Sequence, residues 1–311
     1  MKVEQVVMVE KGRLATREVE LTRDPAKALV RVEAAGVSAG DGELLQGRFY
    51  NQPKFPFVSG YDLVGTVVEG PLAGQRVAAM PRTGSWSSLV QLDPATLVPV
   101  PDGLDPADAV ALVTNGVTAL RMIELAKVRA GQTVLVHGAS GGVGMLLTQL
   151  AVQRGASVVG TASPAKHEAV RALGATPVDY HGEVRVAADV IFDHLGGKHL
   201  VASYGLLNRG GTVVAYGNDS GDKTSGPPIL PFLVIAGRVA VWQARRVLGL
   251  GRGRRAYLFN VKPDKQFAED LGTVFASGIR VPVVRYPLKE AETALREHLG
   301  RKITGKPVLI P

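Results

Sequence analysis

The segment Val136-His137-Gly138-Ala139-Ser140-Gly141-Gly142-Val143-Gly144 constrains this chain more than any other. It follows Thr133-Val134-Leu135-Val136, an apolar run that reads as a buried strand. It opens a stretch in which Val143, Leu146, Leu147, Leu150 and Ala151 recur at helical spacing. Strand, glycine-rich turn and helix in that order give a dinucleotide fingerprint its physical meaning. Glycine lets the backbone approach a pyrophosphate with no Cβ in the way, and the amides of the first helical turn stabilise the negative charge. Ala139 stands at the usual first glycine, so the match is Ala-x-Gly-x-x-Gly. A tight structural turn is the competing reading; the second strand–helix unit behind it favours a cofactor site, with Ser140, Gly141, Gly142, Val143 and Gly144 as its phosphate-facing positions.

The alternation continues downstream. Gly155 ends the helix, 157–161 reads as a strand, Ser163-Pro164 starts a helix that Gly174 ends, and 177–180, 189–193 and 212–216 read as further strands. Strands separated by helices indicate an α/β fold with a doubly wound parallel sheet. Residues 1 to about 110 have a different rhythm, with short β-branched runs such as 28–32 and 63–68 between Gly-, Pro- and Asp-rich turns. Asp105-Pro106 opens a helix, with Asp105 suited to the cap and Pro106 to the first turn. Beyond residue 260, helices over 267–277 and 288–299 and strands over 281–286 and 306–310 close the chain. A length of 311 residues suits two cores.

The end of the second strand distinguishes between cofactors. NAD-binding units usually carry Asp or Glu there to accept from a ribose hydroxyl. Here the residues are Thr161, Ala162 and Ser163, with Lys166 close behind. A hydroxyl and a cation without a carboxylate suit a 2′-phosphate, which predicts NADPH. The plainer alternative makes Ser163 a helix cap and Lys166 a solvent-facing lysine.

Composition narrows the chemistry. The chain has no cysteine, so a disulfide, a thiolate nucleophile and a cysteine-based zinc site are excluded. The six histidines show no ligand-spaced pair. Net charge is +8, and the densest basic cluster is Arg245, Arg246, Arg252, Arg254 and Arg255, read as a solvated helix end and its loop, with a surface for an anionic partner as the alternative. No aromatics interleave with it, so a nucleic-acid partner is not expected. The apolar stretch 228–242 is interrupted by Arg238 and is shorter than the ~20 residues a membrane-spanning helix needs. The start, Met1-Lys2-Val3-Glu4-Gln5, has no apolar signal stretch, which predicts a cytoplasmic protein.

With their surroundings, these residues resemble the zinc-independent quinone oxidoreductase branch of the medium-chain dehydrogenase/reductase superfamily, and within it the synaptic-vesicle membrane protein group. The resemblance rests on Ala34-Ala35-Gly36-Val37-Ser38, Pro56 to Gly65, Leu97 to Leu104, Asn115-Gly116-Val117-Thr118-Ala119, the 137–144 turn, Arg209 to Val213 and Gly305 to Leu309. It implies a mostly β GroES-like catalytic domain from both chain ends (1–116 and 261–311), a Rossmann domain over 117–260, and an active site in the cleft between them. It implies NADPH-dependent hydride transfer to a small apolar enone or quinone, and a homodimer. Asn115 and Thr118 should lie near the nicotinamide, and Ser163, Lys166 and Tyr180 around the 2′-phosphate. His194 and Leu195, with Tyr216, Gly217 and Asn218, should line the ribose and nicotinamide side.

The chain departs from its relatives near the expected chemistry. Ser38 stands near a ligand cysteine of the zinc-dependent enzymes, and Tyr61-Asp62 replaces their His-Glu. Many relatives carry Gly-x-Tyr-Pro, whereas here Phe49 holds the tyrosine position, Tyr50 follows, and Leu45 replaces a frequent arginine. Tyr50 and Ser38 are therefore the candidate catalytic donors, while Tyr61 reads as a packing residue. Without a metal, hydrogen-bond donors must stabilise the enolate formed as hydride adds. The altered donors leave two alternatives open: reductive cyclisation of a polyketide or polyene substrate, and an NADPH-bound binding protein with little turnover. Residues 227–247 read equally as an apolar wall beside the substrate or as a dimer face.

Overall fold

Alternating apolar positions broken by glycine and proline make the first third of the chain a set of short strands. The computed structural model describes residues 1–49, 51–219 and 229–311; Tyr50 lies outside them. The chain divides into two units, Met1–Val117 with Lys262–Pro311, and Thr118–Val261. In the first, β1 (Lys2–Glu10) and β2 (Arg13–Glu20) form an antiparallel hairpin. Then β3 (Ala28–Gly36) leads into the short helix α1 (Ala39–Leu45). After it come β4 (Phe57–Val58), β5 (Leu63–Glu69), β6 (Arg76–Ala79), β7 (Leu89–Leu92) and β8 (Val98–Pro99). The helix α2 (Pro106–Ala126) follows, capped as its Asp-Pro start suggests: Asp105 Oδ1 accepts from the amides of Ala107 and Asp108. By length and composition α2 could cross a membrane, but 83% of its apolar window is buried within the protein, as in a core helix.

The second unit is an α/β layer structure. Its strands are β9 (Thr133–Val136), β10 (Ser157–Ala162), β11 (Thr176–Asp179), β12 (Ala188–Asp193), β13 (Leu207–Ala215) and β14 (Arg255–Leu258). Between them run α3 (Gly142–Gln153), α4 (His167–Ala172), α5 (Gly197–Leu206) and α6 (Leu230–Val247). All five pairings are parallel, in the order β11-β10-β9-β12-β13-β14. The order reverses between β9 and β12, and in such sheets ligands bind outside the carboxyl ends of the strands at that switch point. The apolar β-branched strands are buried as doubly covered parallel strands should be, with Leu135, Ile191 and Val213 fully enclosed.

One element differs from expectation. Arg254 and Arg255 do not belong to a solvated loop: Arg255 starts β14, the edge strand beside β13. The Arg254 guanidinium donates to the carbonyls of Leu207 and Gly205 and lies 5.6 Å from the Tyr204 ring, itself stacked on Trp242 at 4.0 Å. Arginine here bonds the carbonyl end of α5, where β13 begins, and covers an aromatic pair.

The chain then returns to the first unit through α7 (Phe267–Ala276), β15 (Val283–Pro287), α8 (Ala291–Leu299) and β16 (Lys306–Ile310). The last strand enters the sheet β15-β16-β3-β5-β6-β8, with β7 also on β3. This GroES-like layer, antiparallel except for the parallel β15–β16 pair, packs Val30, Val67, Val77, Trp86, Leu295 and Leu309 into one core. Trp86 is fully buried, and its indole nitrogen donates to Gly36 O at 2.9 Å.

Candidate active site

At the switch point the backbone after β9 turns sharply. Gly138 takes φ +67°, and a Cβ there would lie 2.5 Å from the His194 ring. The turn is held from β10: Gly138 N donates to Thr161 Oγ1 at 3.0 Å and Ala139 N to Thr161 O at 2.9 Å. The glycines of the fingerprint then differ in why they are glycine. At Gly144 a Cβ would meet Gly138 O at 2.1 Å, so the fold itself demands glycine. Gly141 is extended, at φ −87° and ψ 165°, and a Cβ would find only Gly138 O at an ordinary 3.4 Å. Internal packing does not require glycine at 141, at the N-cap of a twelve-residue helix with no side-chain cap. A ligand backing onto the turn would require it.

A chain of polar side chains locks the neighbouring strand ends together. Asp193 Oδ1 accepts from the amides of Leu195 and Gly196, both at 2.9 Å, and Oδ2 accepts from Ser203 Oγ at 2.6 Å. Because Ser203 donates to Asp193, it accepts from His137 Nε2 at 3.0 Å, which fixes the proton on that nitrogen. Nδ1 then faces Thr161 Oγ1 at 3.5 Å. Burial holds the His137 imidazole below its usual pKa, partly offset by Asp193 and reinforced by His194 and His199. Tyr216 N donates to Asp193 O, and burial pushes the Tyr216 hydroxyl well up. Gly196 sits under Asn218, and Gly217 against the His194 carbonyl, each too close for a Cβ. The structure thus gathers His194, Leu195, Tyr216, Gly217 and Asn218 along one edge of the second unit, beside the glycine turn.

The end of β10 is organised differently from the sequence reading. Thr161 is buried and its hydroxyl is engaged with the turn. Ser163 heads a short 3-10 turn over Pro164–Lys166 but makes no side-chain cap. Ser163 and Lys166 are half-buried, and Tyr180 is exposed with its ring 4.1 Å from that of His181. The structure adds a carboxylate: Asp179, at the end of β11, is in register with Ala162. It accepts from the His181 amide at 3.0 Å and pairs with His181 Nδ1 at 2.9 Å, and these bonds hold its pKa below the usual value. Asn115 and Thr118, three residues apart on α2, are both buried, Asn115 in the first unit and Thr118 in the second.

In the first unit the residues around Ser38 form a buried ionic cluster. Lys306 Nζ donates to Ser38 Oγ at 2.8 Å and pairs with Asp62 Oδ2 at 3.1 Å; Lys306 and Asp62 are almost fully enclosed. Gly36 leaves room for them, since a Cβ there would lie 2.1 Å from Asp62 Oδ1 and 2.7 Å from Lys306 Cε. Asp41, fully buried, accepts from Ser38 N at 2.8 Å and from Ser59 Oγ at 3.2 Å. Burial pushes its carboxyl up to about 7, against the bond from Ser38, with Asp62 raising and Lys306 lowering it. A zinc ion does not fit this donor set. Zinc sites use thiolate, imidazole and carboxylate ligands, whereas Ser38 and Asp62 here already hold an ammonium between them. Among the described residues, no group of three His, Cys, Asp or Glu side chains could hold a metal.

Sequence reasoning missed Lys306, Asp41 and Ser203. A lysine inside the apolar strand Lys306–Ile310 was the available signal for the first; nothing local marks the other two.

Two stability measurements test these assignments. Gly141→Ala should leave the thermal midpoint nearly unchanged, while Gly144→Ala should destabilise by about 2 kcal/mol or more through its clash with Gly138. The raised Asp41 pKa means that the folded state holds this proton more tightly than the unfolded chain. Its stabilising effect is complete below the usual carboxylate range and is lost as pH rises through about 7. Asp41→Asn should therefore gain stability relative to the wild type as pH rises from about 4 to 7, measured by urea unfolding. Parallel pH profiles for the two proteins would contradict it.

Comparison with known proteins places this geometry in a family. Residues 24–102 match the alcohol dehydrogenase GroES-like domain, and residues 173–309 match the family described as zinc-binding dehydrogenase. The rat synaptic vesicle membrane protein VAT-1 homolog is 35% identical over 211 residues, 62% of this chain and 52% of that protein, so the match spans about half the relative's length. The spectinabilin polyketide synthase system protein NorB of Streptomyces orinoci is 31% identical over 309 residues, 92% of this chain and 13% of that protein. The quinone oxidoreductase of Thermus thermophilus, solved alone and with NADPH, superposes with a TM-score of 0.77 at 25% identity, covering 99% of this chain and 100% of that one. Matched by family signatures at both ends and by solved structures along its whole length, the chain belongs to the medium-chain dehydrogenase/reductase superfamily.

Proposed function

We propose that this chain is an NADPH-dependent, metal-free oxidoreductase that delivers a hydride to an electron-poor alkene or a quinone. The observation that carries the reading is Gly141: a glycine that the fold does not need, at the helix N-terminus on the switch point of a parallel sheet. A bound nicotinamide dinucleotide would supply the hydride. The chain's own residues do the rest. The amides from Gly141 onward and the first turn of α3 receive the pyrophosphate, and the edge formed by His194, Leu195, Tyr216, Gly217 and Asn218 holds the ribose and nicotinamide. Asn115 and Thr118 stand at its reactive end. Ser163, Lys166 and Tyr180 receive the 2′-phosphate, while Asp179 at the end of β11 already accepts through Oδ1 from His181.

The quinone oxidoreductase solved with NADPH supports both cofactor and acceptor class. Absence of a metal is supported by Lys306, whose ammonium takes the place of a divalent cation between Ser38 and Asp62. Ser38 is then the described hydroxyl nearest to that charge, and we assign it to the substrate side. The nearly full-length match to a polyketide synthase protein favours enone substrates of polyketide type, including a reductive cyclisation in which the carbanion left by hydride addition closes a ring before it is protonated. Homodimerisation fits α6, which exposes Leu233, Val234 and Val241, with Leu248 exposed at its C-cap.

Titration with NADPH and NADH, followed by nicotinamide fluorescence, tests the cofactor assignment. Wild type should prefer NADPH. Lys166→Ala should lose about tenfold or more in NADPH affinity, roughly one charge-assisted contact, with NADH little changed. Gly141→Ala should weaken both cofactors while the fold stays intact. Equal affinity of the wild type for the two cofactors would contradict the 2′-phosphate site.

A further inference from the structure

At the end of the second unit's sheet opposite the glycine turn lies a small hollow. β9 runs its full length between the two, with Val136 entering the turn and Thr133 at this other end. The hollow measures about 220 Å3, and its lining is mostly polar. β13 bulges beside it: β12 advances two residues from Ala188 to Val190 while β13 advances five, from Leu207 to Thr212. The extra residues carry Arg209 to the rim, followed by Gly210 at φ +76°. Lys127 and Arg129 reach the hollow from the turn after α2, and Arg255 from the start of β14.

Four cations therefore surround a cavity lined by one carboxylate, Asp189, a formal charge of +3. Both oxygens of Asp189 are engaged elsewhere: Oδ2 accepts from Thr133 N at 2.9 Å and Oδ1 from Asn208 Nδ2 at 2.8 Å. Among the described residues none of the four cations has an ion pair, whereas Arg154, Arg171 and Arg185 of the same unit each pair with a glutamate. Three of the four are exposed, where water alone can hydrate a cation, but two further features mark this group. Thr212, only 3% exposed, lines the cavity, and its hydroxyl has no hydrogen-bond partner among the described residues. Buried hydroxyls are ordinarily paired. Lys127, in turn, is left-handed, at φ +55°. It is the first residue beyond α2, whose last carbonyls are met by backbone amides: Lys127 N donates to Glu124 O at 3.0 Å and Val128 N to Ile123 O at 3.2 Å. Glycine is the usual residue at that position, and a helix end closed in this way needs no lysine to cap it. A cationic side chain is thus kept there against the backbone preference, and it lines the cavity.

We propose that this hollow is a binding site for phosphate or a small phosphomonoester, separate from the dinucleotide edge. Its lining is rich in donors: three guanidiniums, an ammonium, the Thr212 hydroxyl, and the side-chain NH2 of Gln132, whose Oε1 is occupied by Arg129 N at 2.8 Å. Guanidinium forks match the oxygens of a phosphate, and an ammonium adds a point charge. Size bounds the ligand. Pockets that take drug-sized molecules measure roughly 300–1,000 Å3, so this one suits a phosphate group with a few carbons and not a second dinucleotide. A nucleic-acid strand would need aromatic stacking surfaces, and no aromatic residue lines the hollow. Phosphate held here bridges the turn after α2 to β13 and β14, and it stabilises the folded protein because the unfolded chain has no such site.

Calorimetric titration of the full chain with sodium phosphate, against sodium chloride at equal ionic strength, tests the site, with the thermal midpoint measured alongside. Wild type should bind phosphate saturably with a Kd of about 1 mM or tighter, and its midpoint should rise. Arg129→Gln and Arg209→Gln should each weaken binding about tenfold, the scale of one charge-assisted contact. Thr212→Val should weaken it while the protein stays folded. Lys127→Gly should raise the midpoint without phosphate and lose most of the rise that phosphate gives. Lys166→Ala, at the other end of the sheet, should keep the binding. Phosphate binding that follows Lys166 and ignores Arg129 and Arg209 would move the ligand to the dinucleotide edge and overturn the assignment, as would a midpoint rise that chloride reproduces. Retention on phosphatidylglycerol vesicles that depends on Arg209, without binding of free phosphate, would give the same cations to a membrane surface and overturn it too.

Discussion

The carboxylate of Asp193 is the interaction on which the second unit's working edge depends. It ends β12 beside the point where the strand order reverses, and it accepts from Leu195, Gly196 and Ser203 at once. Through Ser203 it reaches His137 on β9, and through His137 it approaches Thr161 on β10. Parallel strands supply a regular ladder but leave their ends as loops, which are ordinarily the mobile part of a domain. Here three ends share one buried hydrogen-bond chain, so the glycine turn is held from both sides. Preorganisation of this kind is what binding a long, charged cofactor in one pose requires.

The first unit uses the same principle with charge instead of neutral donors. Its centre is the Lys306–Asp62 pair, admitted by the missing Cβ at Gly36 and tied to the start of α1 through Ser38. The ammonium comes from the last strand and Ser38 from the stretch after β3, so the two chain ends meet at one polar cluster within this unit. The Lys306 ammonium lies between Ser38 and Asp62, a fixed cation at the centre of the cluster. Its one hydroxyl partner among the described residues is Ser38.

How much of this was legible in the sequence follows the range of the interactions. The strand–turn–helix around Gly138 to Gly144 is a local object, and its glycines announce it; the doubly wound parallel layer follows from the alternation behind it. Arg254 and Arg255 misled because paired arginines between glycines read as surface, while β14 exists only through its pairing with β13. The organisers of the site are non-local. Ser203 lies 66 residues from His137, and Lys306 lies 268 from Ser38, so no window along the chain shows them together. Asp179 was overlooked because it belongs to the strand beyond the one that was searched.

The central claim is that the glycine turn and the Asp193-held edge present a nicotinamide for hydride transfer. The most direct measurement supplies the protein with methyl vinyl ketone and NADPH carrying deuterium on the transferring face of C4, and locates the label in the product by mass spectrometry and NMR. The account expects one deuterium at the former β-carbon and solvent hydrogen at the α-carbon. Product with no deuterium at the β-carbon, from cofactor labelled in turn on either face, would contradict it.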